Sequence, residues 1–195
     1  MARTLSTMLP LGTSAPAFAL PDVTGGKTVT QSLDANQKAL LVIFASPHCP
    51  YVKHVSAQLA ALGEGYAPRG VKIVLISAND AATHPDDSPE NLKQFGEALG
   101  LVYPIAYDAD QSVANAYAAA CTPDFFLFDA GLKLAYRGQL DDSRPGGEKP
   151  LTGADLRAAL DAVLAGAAPS ADQKPSMGCN IKWKPGNEPS YFAAG

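Results

Sequence analysis

The sequence predicts one α/β sandwich, a mixed sheet with helices on both faces. Three observations predict it. Two continuous apolar runs of strand length, Ala39–Ala45 and Val71–Ser77, flank a helical pattern; strands of that kind are covered on both faces, and the connection makes a right-handed parallel βαβ unit. Two further strands, Asp124–Asp129 and Lys133–Gly138, are joined by a tight turn at Ala130-Gly131 and followed by a helix. A length of 195 residues suits one compact domain, expected over 1–168, with 169–195 as a tail packed on it.

The elements follow in order. Gly12–Leu33 alternates turn residues with short apolar pieces, and Gly25-Gly26 within Asp22–Lys27 predicts a hairpin turn, hence a small N-terminal β-ribbon. From about Cys49 to Leu62, Val52, Val55, Leu59 and Leu62 keep the three-and-four spacing of an amphipathic helix. The next helix has Ser88 as its cap, Pro89 at its first position, Leu92, Phe95 and Leu99 on one face, and Gly100 at its end. A short helix after Asp110 turns Val113 and Tyr117 inward. The last helix opens on Thr152-Gly-Ala-Asp155, a capping-box spacing, and buries Leu156, Leu160, Val163 and Leu164. Ala165–Asp172 reads as a linker. Beyond it, Pro175, Pro185 and Pro189 forbid one long helix, while Trp183, Tyr191 and Phe192 favour an extended arm docked near the active-site end, with Lys182 and Lys184 at the surface.

Composition narrows the function. A net charge of −4 and a pI near 5.3 give no basic stripe for nucleic acid. No apolar run reaches membrane-span length, and the N-terminus lacks an uninterrupted apolar core for a secretory signal, so a cytoplasmic protein is expected. Three cysteines, Cys49, Cys121 and Cys179, are too few and too scattered for a disulfide scaffold.

The strongest chemical feature is Ser46-Pro47-His48-Cys49-Pro50, where a buried strand ends and a helix begins. A helix N-terminus there presents free N–H groups and positive dipole, which favour a thiolate. Ser46 is placed either to cap the helix or to donate a hydrogen bond to the sulfur. Lys53, one helical turn on, brings positive charge to the same face. His48 and His54 flank the site, with solvent exposure the simpler expectation for both.

These residues carry a resemblance. SPHCP at the strand–helix junction, Cys121-Thr122-Pro123-Asp124 before a strand, and the hairpin and helix that follow resemble the thioredoxin superfamily; Gly12–Asp22 is similar to the opening of its peroxiredoxin-like branch, the alkyl hydroperoxide reductase/thiol-specific antioxidant family. HCPYVKH, CTPDFFLFD, YRGQLDDSRPG and GCNIKWKPG extend the likeness over almost the entire chain. The resemblance implies a thioredoxin-like three-layer sandwich with an N-terminal β-ribbon and a C-terminal extended tail. It also implies a thiol oxidoreductase acting on peroxides or protein disulfides, with no cofactor, recycled by a thiol reductant such as a thioredoxin-type protein.

By the same resemblance Pro123 follows a cis bond and faces Cys49, opening backbone groups to substrate. The expected catalytic group is Cys49, Ser46, Cys121 and Cys179, with Cys179 on its arm suited to resolve an oxidised Cys49; the expected substrate-binding group is His48, Pro50, Thr122 and Pro123. Ser46 stands where thioredoxins carry their first cysteine, so no dithiol cycle runs inside that motif. Val42 replaces the peroxiredoxin proline, no Arg stands near the strand that begins at Asp124, and Arg137 on the next strand is a distant candidate for the peroxiredoxin arginine. Two other readings compete: a non-catalytic Cys/His module for Cu or Zn, and a redox-inert interaction protein.

Overall fold

The computed structural model describes residues 3–192; positions 1–2 of the expected domain and 193–195 of the expected tail lie outside the described residues. In chain order the elements are β1 (Arg3–Leu5), β2 (Ala19–Pro21), β3 (Thr28–Thr30), β4 (Ala39–Phe44), α1 (Pro50–Tyr66), β5 (Val71–Ser77), α2 (Pro89–Leu99), β6 (Ile105–Tyr107), α3 (Ser112–Ala116), β7 (Cys121–Thr122), β8 (Asp124–Phe128), β9 (Leu134–Gly138), α4 (Ala154–Leu164) and β10 (Met177–Asn180). No helix among the described residues is long and apolar enough to cross a membrane.

The central sheet runs β6-β5-β4-β8-β9. The strands β4, β5 and β6 are parallel, and β8 and β9 complete the sheet antiparallel. Alternate residues of β4 serve opposite layers. Leu41 and Ile43 pack with Val55, Leu59 and Leu62 of α1, Leu92 of α2, and Leu156 and Leu160 of α4. Leu40, Val42 and Phe44 pack with Tyr117, Phe126 and Phe128, the ribbon β2–β3, and Ile181 and Trp183 beyond β10. Three helices thus lie on one face, while the other is covered by short α3, the ribbon and the arm.

Several local expectations need adjustment. Ser88 does cap α2, accepting from Asn91 N, and Gly100 closes that helix in the left-handed conformation. The capping box at α4 does not form: Gly153 is the N-cap, at φ +71, and Asp155 bonds Gln139 instead. The carboxylate of Asp141, from the preceding loop, accepts from Thr152 N and Gly153 N and takes over the role. The arm is more than a docked coil. β10 is the middle strand of a second sheet, between β1 and β7, pairing Arg3 with Cys179 on one side and Cys179 with Thr122 on the other.

Candidate active site

Cys49 is the N-cap residue of α1, at the carboxyl end of β4, and Pro50 follows at the first helical position. No acidic residue sits in that first turn, so no carboxylate of the helix's own first turn offsets the dipole. The Cys49 side chain is completely buried. What covers it is β10, which brings the Cys179 sulfur to 2.9 Å from the Cys49 sulfur. Across the sheet end, Thr122-Pro123 is a cis peptide. A protonated Cys49 donates to the Thr122 carbonyl oxygen, 3.1 Å away.

The three thiols differ in environment. Cys49 is pulled down to about 5, chiefly by the Cys179 thiol donating to it; the Thr122 hydroxyl and the Val52 N–H add to this against the cost of burial. That hydroxyl has no nitrogen or oxygen partner among the described residues. Cys179 is pushed up, first because its proton is held by Cys49 and then by burial. The pair therefore ionises once, and the helix N-terminus places the charge on Cys49. Cys121 is wholly buried, which raises its pKa well above the thiol range. Its sulfur is turned toward the Pro123 carbonyl, 3.7 Å away. Such a neutral, enclosed thiol is placed to pack rather than to react.

Ser46 also departs from expectation. It neither caps α1, which has no side-chain cap, nor serves the sulfur. Its hydroxyl lies 3.0 Å from His48 Nδ1 and bonds Asp87. The reason is Asp87, a buried carboxylate that the sequence does not reveal because nothing local sets it apart from Asp86 beside it. Its Oδ2 lies 2.6 Å from His48 Nδ1 and accepts from Asn79 Nδ2 at 3.1 Å, while Oδ1 accepts from Ser77 Oγ at 3.2 Å. Burial pushes Asp87 up, but the bonds from His48, Asn79 and Ser46 outweigh it and hold the carboxyl low. The bond to Asp87 raises His48 against burial, the charges of Asp87 and Cys49 add to it, and Lys182 opposes them.

His48 is therefore half-buried and paired, and its ring stacks on His84, with centroids 5.2 Å apart. His54 is likewise partly covered, its Nε2 2.9 Å from Ser143 Oγ. Lys53 is exposed on α1, and the nearby cation is Lys182 of the arm instead. Lys182 is half-buried rather than at the surface, its Nζ bonding the Asn180 carbonyl at 2.8 Å. Lys184, also half-buried, bonds the Ala109 carbonyl. Arg137 binds the Leu9 carbonyl and Gln173, and so is committed elsewhere. Pro50 is exposed. The backbone beside Pro123, expected to be open to substrate, is occupied by β10. A Cβ added at Gly178 would overlap the Thr122 carbonyl oxygen, so the two strands touch without space between them. Among the described residues, no three His, Cys, Asp or Glu side chains gather as metal ligands.

A profile of the Redoxin family matches residues 10–156. The chain belongs to the Redoxin family. Within it this redoxin falls in the peroxiredoxin-like branch of the thioredoxin-like superfamily, among thiol oxidoreductases. It is 32% identical over 120 residues, 60% of its length and 68% of the relative's, to a Mycobacterium tuberculosis protein named as a peroxiredoxin. It is 27% identical over 131 residues, 67% of its length and 70% of the relative's, to the thiol-disulfide oxidoreductase ResA of Geobacillus thermodenitrificans. The crystal structure of a conserved protein from Geobacillus kaustophilus superposes with a TM-score of 0.91 at 51% identity, covering 95% of this chain and 98% of the other.

Proposed function

We propose that this redoxin is a two-cysteine peroxidase in which Cys49 attacks a small hydroperoxide and Cys179 resolves the product within the same chain. The observation that carries this reading is the 2.9 Å between the two sulfurs at a helix N-terminus. The Cys49 thiolate forms an S–O bond as the O–O bond breaks, so sulfur is oxidised by two electrons and the departing oxygen takes up a proton. The Cys179 thiol then condenses with the sulfenic acid, releasing water and leaving a Cys49–Cys179 disulfide. A dithiol reductant of thioredoxin type reopens it by exchange. Complete burial of Cys49 favours a small oxidant over a protein disulfide, which meets β10 where it must bind.

The ResA relative supports a second reading, exchange with protein disulfides, in which β10 lifts from β7 to admit the partner. One experiment separates them. Reduced protein is mixed in a stopped-flow device with one equivalent of hydrogen peroxide or of a disulfide-bonded peptide, then mapped without reductant. The proposal expects the peroxide to react far faster than with free cysteine and to yield Cys49–Cys179. With Cys179→Ser it expects a sulfenic acid on Cys49, captured by dimedone. A peroxide rate no greater than that of free cysteine, with rapid reaction of the peptide, would overturn it.

A further inference from the structure

The departing oxygen in that reaction must receive a proton. We propose that His48 is the acid that supplies it, and that Asp87 is the positioning residue that orients its ring. The inference rests on the reading of Cys49 as nucleophile, and it assigns chemistry to a pair that packing alone does not need.

The geometry is built from three segments. The end of β5 supplies Ser77, the segment that follows it supplies Asn79 and Asp87, and the loop before α1 supplies Ser46 and His48. Asp87 is completely buried, and four groups converge on its two oxygens: Ser77, Asn79, Ser46 and His48. A buried carboxylate so fully bonded is fixed in direction and charge. It takes the Nδ1–H of His48 at 2.6 Å, which leaves Nε2–H as the ring's second donor in the cationic state. His84 stacks against the ring and fixes its plane. The His48 side chain keeps 16% of its surface exposed, so the proton it gives up returns from solvent.

The charged and titratable groups around His48 are Asp87 from the turn after β5, Cys49 at the start of α1, Lys182 from the arm and the stacked His84. Asp80, whose carbonyl accepts from His84 N, adds a negative charge near His84. Asp87 holds the ring by contact, the charges of Asp87 and of the Cys49 thiolate favour its cationic form, and Lys182 is the cation working against it. The step balances. The thiolate gives an electron pair to one peroxide oxygen, the O–O bond breaks toward the other, and the Nε2 proton goes to that oxygen, leaving sulfenic acid, water and neutral imidazole. A disulfide substrate makes the same demand, because its departing thiolate also takes a proton.

Iodoacetamide separates acid catalysis from thiolate supply, since departing iodide needs no proton. In the wild-type protein the peroxide rate is expected to level off above the Cys49 pKa of about 5 and to fall again as His48 deprotonates, whereas the iodoacetamide rate stays level. His48→Gln, which keeps a neutral donor at a partly exposed position, should lower the peroxide rate about a hundredfold at neutral pH and change the iodoacetamide rate by less than about threefold. Asp87→Asn should move the alkaline fall of the peroxide rate down toward the ordinary histidine pKa of about 6.5. Equal losses with both reagents, or no loss with either, would overturn the inference while leaving Cys49 as nucleophile. If wild-type protein reacts with peroxide no faster than free cysteine, the peroxidase reading falls instead. The acid is then tested by the same ratio with oxidised glutathione: a loss confined to glutathione supports His48, and an equal loss rejects it.

Discussion

Replacing Gly178 by alanine tests whether the seating of β10 on β7 is what brings the two sulfurs together. The added Cβ would fall 2.6 Å from the Thr122 carbonyl carbon and 3.3 Å from Pro123 N, and closer still to the Thr122 oxygen. All three are backbone atoms, so no rotamer relieves the overlap. Overpacking of this kind costs about 3 kcal/mol, the upper part of the usual range. Releasing the arm altogether would expose Ile181 and Trp183, at about 1.5–3 kcal/mol for each large apolar side chain. The arm is therefore expected to stay docked but displaced, carrying Cys179 away from Cys49. For a chain of this size the melting temperature should fall by about 6–12 °C. One equivalent of peroxide should then leave Cys49 as a sulfenic acid that dimedone captures. Gly65→Ala, on α1 with open space around it, should instead raise stability by about 0.5–1 kcal/mol. A Gly178→Ala protein that melts with the wild type and closes the Cys49–Cys179 disulfide at the wild-type rate would refute the reasoning.

Three more expectations follow from the same surroundings. Cys179→Ala removes the largest contribution that holds Cys49 down, so the inflection of iodoacetamide rate against pH should climb from about 5 toward the free-thiol value of about 8.5; an inflection still near 5 would mean that the helix N-terminus acts alone. Cys121→Ala should cost no more than about 1–2 kcal/mol by urea unfolding and leave peroxide turnover intact, because the thiol packs in a closed site. The third concerns Asp124, wholly buried, its Oδ1 without a partner among the described residues and its pKa pushed well up by burial. An acid raised in the folded state loses stability as pH climbs from its unfolded pKa through the folded one. Asp124→Asn should therefore be the more stable protein at neutral pH, by about 1.4 kcal/mol for each tenfold gain in the carboxylate's proton affinity on folding, and match the wild type below about pH 4. Parallel unfolding curves at both pH values would contradict this.

The parts legible in the sequence are those whose pattern is their own. Ala39–Ala45 and Val71–Ser77 are long apolar runs, and α1 and α2 carry regular spacing and caps, so each declares itself without its neighbours. Met177–Asn180 declares nothing: Gly178 and Asn180 are poor strand formers, and the segment is a strand because both its edges are paired. Ile105–Tyr107 and Cys121–Thr122 are too short for any period to show. The site divides in the same way. Cys49 is visible because strand, cysteine and proline are contiguous. Asp87 is not, because nothing local distinguishes it from Asp86 beside it; only the folded chain brings it beneath His48 and turns Ser46 away from the sulfur.

The pairing of Arg3 with Cys179 has a consequence for the order in which the chain is made. Synthesis runs from the N-terminus, and domains begin to fold as they emerge. The strands β4, β5, β8 and β9 and all four helices precede β10 in the chain, so the sandwich is able to assemble while the arm is still on the ribosome. During that interval Cys49 lies at its helix start without its cover or its partner thiol, and β1 waits with neither edge paired. A nascent chain oxidised at this stage has no Cys179 to close upon. Its sulfenic acid is then open to further oxidation or to capture by a foreign thiol.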